Sequence, residues 1–126
     1  MEELNYLVSV MIDCTDNEKM CSFYTELLGW KKVGPYYGCT AVRNSKGLVL
    51  LFRQEDDYVP PVWPEEDGKQ QKQMHFDFVV PDLDAAVKRA EELGALKAEK
   101  QYGNGTNYVT MLDPVGHPFC LCHGDE

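Results

Sequence analysis

The chain repeats itself once, and no other feature restricts its fold as much. Val8, Val10 and Ile12 alternate with Ser9, Met11 and Asp13. Further on, Phe76, Phe78 and Val80 alternate with His75, Asp77 and Val79. A period of two is that of a half-buried strand. Each stretch leads into apolar residues at helical spacing: Met20, Phe23, Tyr24, Leu27 and Leu28, then Leu83, Ala86, Val87, Ala90 and Leu93. Thr15 to Glu18 reads as a capping box with Asp16 as the alternative cap, and Asp82 caps the second helix. Gly29 and Gly94 stand just past the helix ends, where glycine adopts a left-handed backbone freely. Residue 10 corresponds to 76, 12 to 78 and 16 to 82, each an offset of 66.

Three more strand-like runs follow each helix. They are Trp30–Val33, Tyr37–Arg43 and Leu48–Arg53, then Leu96–Lys100, Tyr108–Leu112 and Phe119–His123. Turn signals separate them at Gly34-Pro35, Asn44–Gly47, Gly103-Asn104-Gly105 and Asp113–Gly116. Each half therefore predicts β-α-β-β-β. The expected fold is α+β: two tandem βαβββ modules forming a cupped mixed sheet around a cleft. Within one domain, 1–126, module one covers about 4–53, a linker about 54–73 and module two about 74–123. The linker is rich in Pro, Glu, Asp and Gln.

Such a unit buries one sheet face under its helix and leaves the other uncovered. The even-numbered residues of both first strands are large and apolar, so they face the helices. Ser9, Met11, Asp13, His75, Asp77 and Val79 then belong to the open faces, where polar groups require partners, solvent or a ligand. His75 and Asp77 leave one strand face a single pleat apart, about 6–7 Å along the strand. Cys120 and Cys122 share a face by the same alternation, and small buried apolar side chains are their plainest role. Trp63, an aromatic residue on the linker, suits a lid. His117 reads as an exposed turn residue.

Composition narrows the partners. Of 126 residues, 44% are apolar and 26% charged, enough for a core without disulfide or metal staples. Lysine plus arginine is 12 against 21 aspartate plus glutamate, a net charge of −9. That surface repels phosphate backbones and anionic lipid, so neither nucleic acid nor membrane is an expected partner. The longest apolar run, Leu48–Phe52, is far short of a span, and Met1-Glu2-Glu3 opens no export signal. Five cysteines, an odd number with no Cys-x-x-Cys pair, fit free thiols in a reducing compartment. A cytoplasmic location is expected.

Three stretches resemble the vicinal oxygen chelate superfamily, which holds glyoxalase I, bleomycin resistance proteins and extradiol dioxygenases. They are Phe23–Trp30, Met74–Ala86 and Leu112–Cys122, and the linker segment Pro60–Pro64 resembles its glyoxalase-like, bleomycin-resistance-like subgroup. The resemblance implies the paired-module fold and four metal-ligand positions in the metal enzymes. Residue by residue these fall on Ser9, His75, Cys120 and a position near Leu50 or Leu51. Serine and leucine are poor substitutes for a metal ligand. The expectation is therefore a protein that binds a small organic molecule, flat or cationic, without the complete metal site and without glyoxalase I activity. Its ligand would touch His75, Asp77, Ser9, Met11, Cys120 and Trp63. No cofactor is expected. The alternative is a metal-dependent lyase or isomerase using a divalent metal on His75 and Cys120; a third reading is an interaction module. A homodimer is expected, because sheet edges and helix faces remain for a second copy to cover.

Overall fold

The computed structural model describes residues 9–103 and 107–123. The first repeat forms β1 (Ser9–Cys14), α1 (Asn17–Leu28), β2 (Lys31–Tyr36), β3 (Cys39–Arg43) and β4 (Val49–Gln54). The second forms β5 (Phe76–Val80), α2 (Leu83–Glu92), β6 (Leu96–Lys97), β7 (Tyr108–Leu112) and β8 (Pro118–His123). Each repeat makes its own four-stranded mixed sheet, in the orders β1-β4-β3-β2 and β5-β8-β7-β6. The first and last strands of each module run parallel, and the other pairs are antiparallel. These are the two tandem βαβββ modules of an α+β fold that the repeat predicts. The chain divides into compact units between Tyr58 and Val59. Val8, and Asn104 and Gly105 of one predicted turn, lie outside the described residues.

Local chemistry explains the element ends. Asp16, not Thr15, caps α1, with its carboxylate accepting from the Lys19 N–H at 3.0 Å. Asp82 does the same for α2 through the Ala85 N–H at 3.1 Å. Gly29 ends α1 at φ +71°, and its N–H donates to the Thr25 carbonyl at 2.9 Å. One turn lies elsewhere than predicted. Gly34-Pro35 falls inside β2, where the ladder is interrupted between Val33 and Tyr36. Proline has no N–H to donate, and an edge strand tolerates that gap. Pairing resumes at Tyr36 opposite Cys39, so the turn is Tyr37-Gly38, with φ of +53° and +75°. Two left-handed residues are what a tight hairpin of this kind needs.

Alternation decides the faces. On the helix side of the first sheet, Tyr24 stacks on Phe52 at 5.6 Å and meets Phe23 edge-on at 4.8 Å. In the second sheet Phe119, Leu121, Met111 and Val109 are buried, as are Leu83 and Ala90 of α2. The opposite faces differ: Met11 is 45% exposed and Val79 73%. The first module's opposite face carries a cluster of Cys39, Ala41, Val49 and Leu51, with Val33 against it. The second module's carries polar groups.

Candidate functional site

The register of the second sheet aligns three polar side chains across three strands. Asp77 on β5 is the ladder partner of Cys120 on β8, and Cys120 is the partner of Thr110 on β7. Thr110 turns its own N–H and C=O away from β8, so Thr110 and Cys120 are a non-hydrogen-bonded pair, whose side chains approach most closely. Thr110 Oγ1 and Cys120 Sγ are hydrogen-bonded at 3.4 Å. His75 stands just before β5, its Nε2 3.3 Å from Asp77 Oδ1. In the first module the row through Met11, the counterpart of Asp77, is Met11, Leu51 and Ala41. No polar side chain stands in it.

The row forms the floor of a pocket of about 340 Å³, and aromatic rings make its walls. Around His75, Asp77, Thr110, Cys120 and Cys122 stand Trp63, Tyr102 and Tyr108. Trp63 is fastened in place: its Nε1–H donates to the Lys100 carbonyl at 2.6 Å. Its ring meets Tyr102 edge-on at 5.5 Å and His75 at 6.4 Å, and the Lys72 ammonium lies 4.7 Å from its centre. Lys72 itself pairs with Glu65. Gly103 lets the Tyr108 ring close in, since a Cβ there would stand 2.9 Å from it.

Gln101 holds this wall to the sheet. Leu96–Lys100 reads as a strand, but β6 stops at Lys97. Where it stops, the Gln101 carboxamide takes over the backbone of Thr110. Its Oε1 accepts from the Thr110 N–H at 2.9 Å, and its Nε2 donates to the carbonyls of Thr110 at 2.8 Å and Ala98 at 2.7 Å. One side chain thus substitutes for a strand residue, and Tyr102 follows it to the pocket rim.

The electrostatics favour a neutral thiol on the floor. Burial pushes the Cys120 thiol above the ordinary range; the Thr110 hydrogen bond offsets part of the rise and the Asp77 carboxylate adds to it. Burial and the same carboxylate push Cys122 up. A thiol held protonated is a weak nucleophile. What the arrangement offers is aromatic faces, a carboxylate paired with an imidazole, and a hydroxyl and thiol beneath them. These suit recognition by stacking, charge and hydrogen bonding.

Of the residues singled out from the sequence, His75, Asp77, Cys120 and Trp63 come together here. Ser9 and Met11 stand on the first module's β1. Met11 lines a recess of about 450 Å³ made by that module's Asn17, Tyr37, Cys39, Arg53 and Gln54. His117 is not an exposed turn residue. It is half-buried, its Nδ1 3.2 Å from the Pro118 carbonyl oxygen and its ring 6.2 Å from Phe76. The buried Asp113 closes that turn, its Oδ1 accepting from the N–H groups of Val115 and His117 at 3.0 Å each. Thr110 and Gln101 were missed. Alternation with Tyr108 is a signal for Thr110, whereas Gln101 carries none.

A family model described as the Glyoxalase-like domain matches residues 9–122. No curated protein matches the sequence. Among solved structures the chain is similar to a fosfomycin resistance protein from Listeria monocytogenes, at 16% identity and a TM-score of 0.71, over 98% of this chain and 94% of that one. It is similar to lactoylglutathione lyase from Agrobacterium tumefaciens, at 18% identity and 0.64, over 98% and 96%. It is also similar to an integron cassette protein from the mobile metagenome of V. cholerae, at 17% identity and 0.66, over 99% of each chain. At these identities the likeness concerns the fold.

Proposed function

The chain belongs to the Glyoxalase-like domain family, and from that premise we propose that it binds a small organic molecule in the pocket of its second module. The observation that carries this reading is the convergence of Trp63, Tyr102 and Tyr108 on the His75–Asp77 pair above Cys120. A pocket of about 340 Å³ lies at the small end of ligand sites. A flat ligand stacks on the rings. A cationic one gains about 0.5–2 kcal/mol from a ring face, besides its attraction to Asp77. The solved relatives named for fosfomycin resistance and for lactoylglutathione lyase carry small-molecule functions in their names, which agrees in kind with this reading.

The four-ligand metal set implied by the family resemblance does not fit these residues. Leu50 and Leu51 are buried at 1% and 3% exposure and have no donor atom, and Ser9 offers only a hydroxyl. The reading therefore involves no step through that set. All five cysteines are free, which agrees with a cytoplasmic setting. Among the described residues no helix is long and apolar enough to cross a membrane.

A thermal-shift screen of small aromatic and cationic compounds, followed by titration of the strongest hit, tests the proposal. His75→Ala and Asp77→Ala should each weaken the hit about tenfold or more, as expected for a lost hydrogen-bonding partner in a pocket. Lys88→Ala, on the exposed side of α2, should leave it unchanged. Equal effects at all three positions would remove the case for this pocket.

A further inference from the structure

We propose that the pocket sorts ligands by where their charge sits: it takes a neutral, electron-rich ring that carries an ammonium on a side chain, in preference to a flat cation charged within its ring. This inference rests on the ligand reading of the same pocket. It names the class of molecule and makes Lys72 the residue that sets the preference.

Two of the three aromatic walls already carry a cation. The Lys72 ammonium lies 4.7 Å from the centre of Trp63, and the Lys100 ammonium 5.2 Å from the centre of Tyr102. Neither lysine lines the pocket, so each ammonium stands on a side of its ring away from the ligand space. Lys72 is held there: its side chain is only 16% exposed and it pairs with Glu65. The hydrogen bond from Lys72 keeps the Glu65 carboxyl below the usual carboxylate range, so the pair stays charged at neutral pH. Trp63 is fixed against this pair by its Nε1–H bond to the Lys100 carbonyl.

An indole attracts a cation through its quadrupole, and a cation already in place draws on that attraction. A second positive charge on the opposite face also meets the first across the ring, and their repulsion offsets what the contact provides. The space against Trp63 and Tyr102 therefore suits a neutral, electron-rich ring, which stacks on a wall whose electron density is pulled the other way. Positive charge is accommodated on the floor. The Asp77 side chain is 63% exposed, and a carboxylate offers about four lone-pair sites, so the His75 contact at 3.3 Å leaves room for an ammonium. With negative charge beneath and positive charge behind the walls, the ring lies between the walls and the ammonium points down to Asp77.

Calorimetric titration of the full chain with three probes tests this: tyramine, para-ethylphenol (a comparable ring without the ammonium) and N-methylquinolinium. The wild type should bind tyramine about tenfold or more tighter than either of the others. Asp77→Asn should bring tyramine down to the level of para-ethylphenol. Lys72→Met keeps an apolar stem on Trp63 and removes the charge. It should tighten N-methylquinolinium about threefold or more and leave tyramine within about twofold. A merely structural Lys72 would weaken both probes alike, and that result overturns the proposal. So does a wild type that prefers N-methylquinolinium or fails to bind tyramine at millimolar concentration. The wild-type ranking decides even if a variant fails to fold. If screen hits depend on His75 and Asp77 but tyramine has no advantage, the pocket stands and the charge sorting falls. If the tyramine advantage survives Asp77→Asn, the proposed pocket falls with it.

Discussion

Cys21 shows how burial alone turns a side chain into a pH-dependent stability element. It is buried on α1, and its Sγ–H donates to the Ala41 carbonyl at 3.8 Å. Burial pushes its thiol up, outweighing the opposing charge of Lys32, while the Glu18 carboxylate adds to the rise. A thiol that ionises later in the folded than in the unfolded chain stabilises the fold fully below the unfolded value, about 8.5. That stability is lost as pH rises from there through the folded value. Urea midpoints measured from pH 7 to pH 10 should therefore fall on the alkaline side, and Cys21→Ala should flatten the fall. An unchanged slope in the variant would show that this thiol does not titrate differently in the two states. The same scale shows what was legible in the sequence. Strict alternation placed His75 with Asp77 on one strand face and Cys120 with Cys122 on another, from residue types alone; that Cys120 joins His75 was implied only by the family resemblance, and the ladder pairing Asp77 with Cys120 brings them together. The counterpart reading of Ser9 as a partner to His75 rested on the repeat, and the repeat says nothing about side-chain chemistry.

The elements were legible to the extent that periodicity and caps specify them. Asp82, Gly29 and both helical stripes act through local forces that the sequence displays directly. Pro35 misled because proline marks both turns and edge-strand interruptions, and only the ladder beyond it distinguishes them. The short β6 was hidden for a different reason. Its continuation is replaced by one carboxamide, and glutamine has no sequence signal for such a role. Gln101→Ala should leave the buried Thr110 N–H without that partner and cost about 1–3 kcal/mol. Denaturant unfolding measures this, and a loss below about 0.5 kcal/mol would mean that water or the backbone replaces the carboxamide. The same variant should loosen Tyr102 and weaken any pocket ligand, whereas Asp16→Ala should cost about 1 kcal/mol through the lost cap and leave the pocket alone.

At the scale of the whole molecule the two modules share a topology but not a chemistry. Met11, Leu51 and Ala41 occupy the row that Asp77, Cys120 and Thr110 occupy in the second module. The proposed ligand site accordingly lies in the second. Among the described residues Asp77 is the single carboxylate lining its pocket, so a metal bound there would find no second carboxylate among them to move a proton. Lactoylglutathione formation should be absent with zinc, nickel, cobalt or manganese. Turnover in the ordinary enzyme range, about 1–1,000 per second, would contradict this. Exposed apolar residues such as Leu96, 67% accessible beside the two-residue β6, and Tyr37, 89% accessible, are surface that a second copy would cover. Light scattering at micromolar concentration should give a dimer mass, and a clean monomer would count against it.

The central claim is that the second module's pocket is the ligand site, and a crystal structure with the tightest compound from the screen tests it most directly. The account predicts the compound stacked against Trp63, with its polar or cationic group on Asp77 and His75 and its edge toward Cys120. A compound found instead in the first module's recess, against Met11 and Arg53, would contradict it.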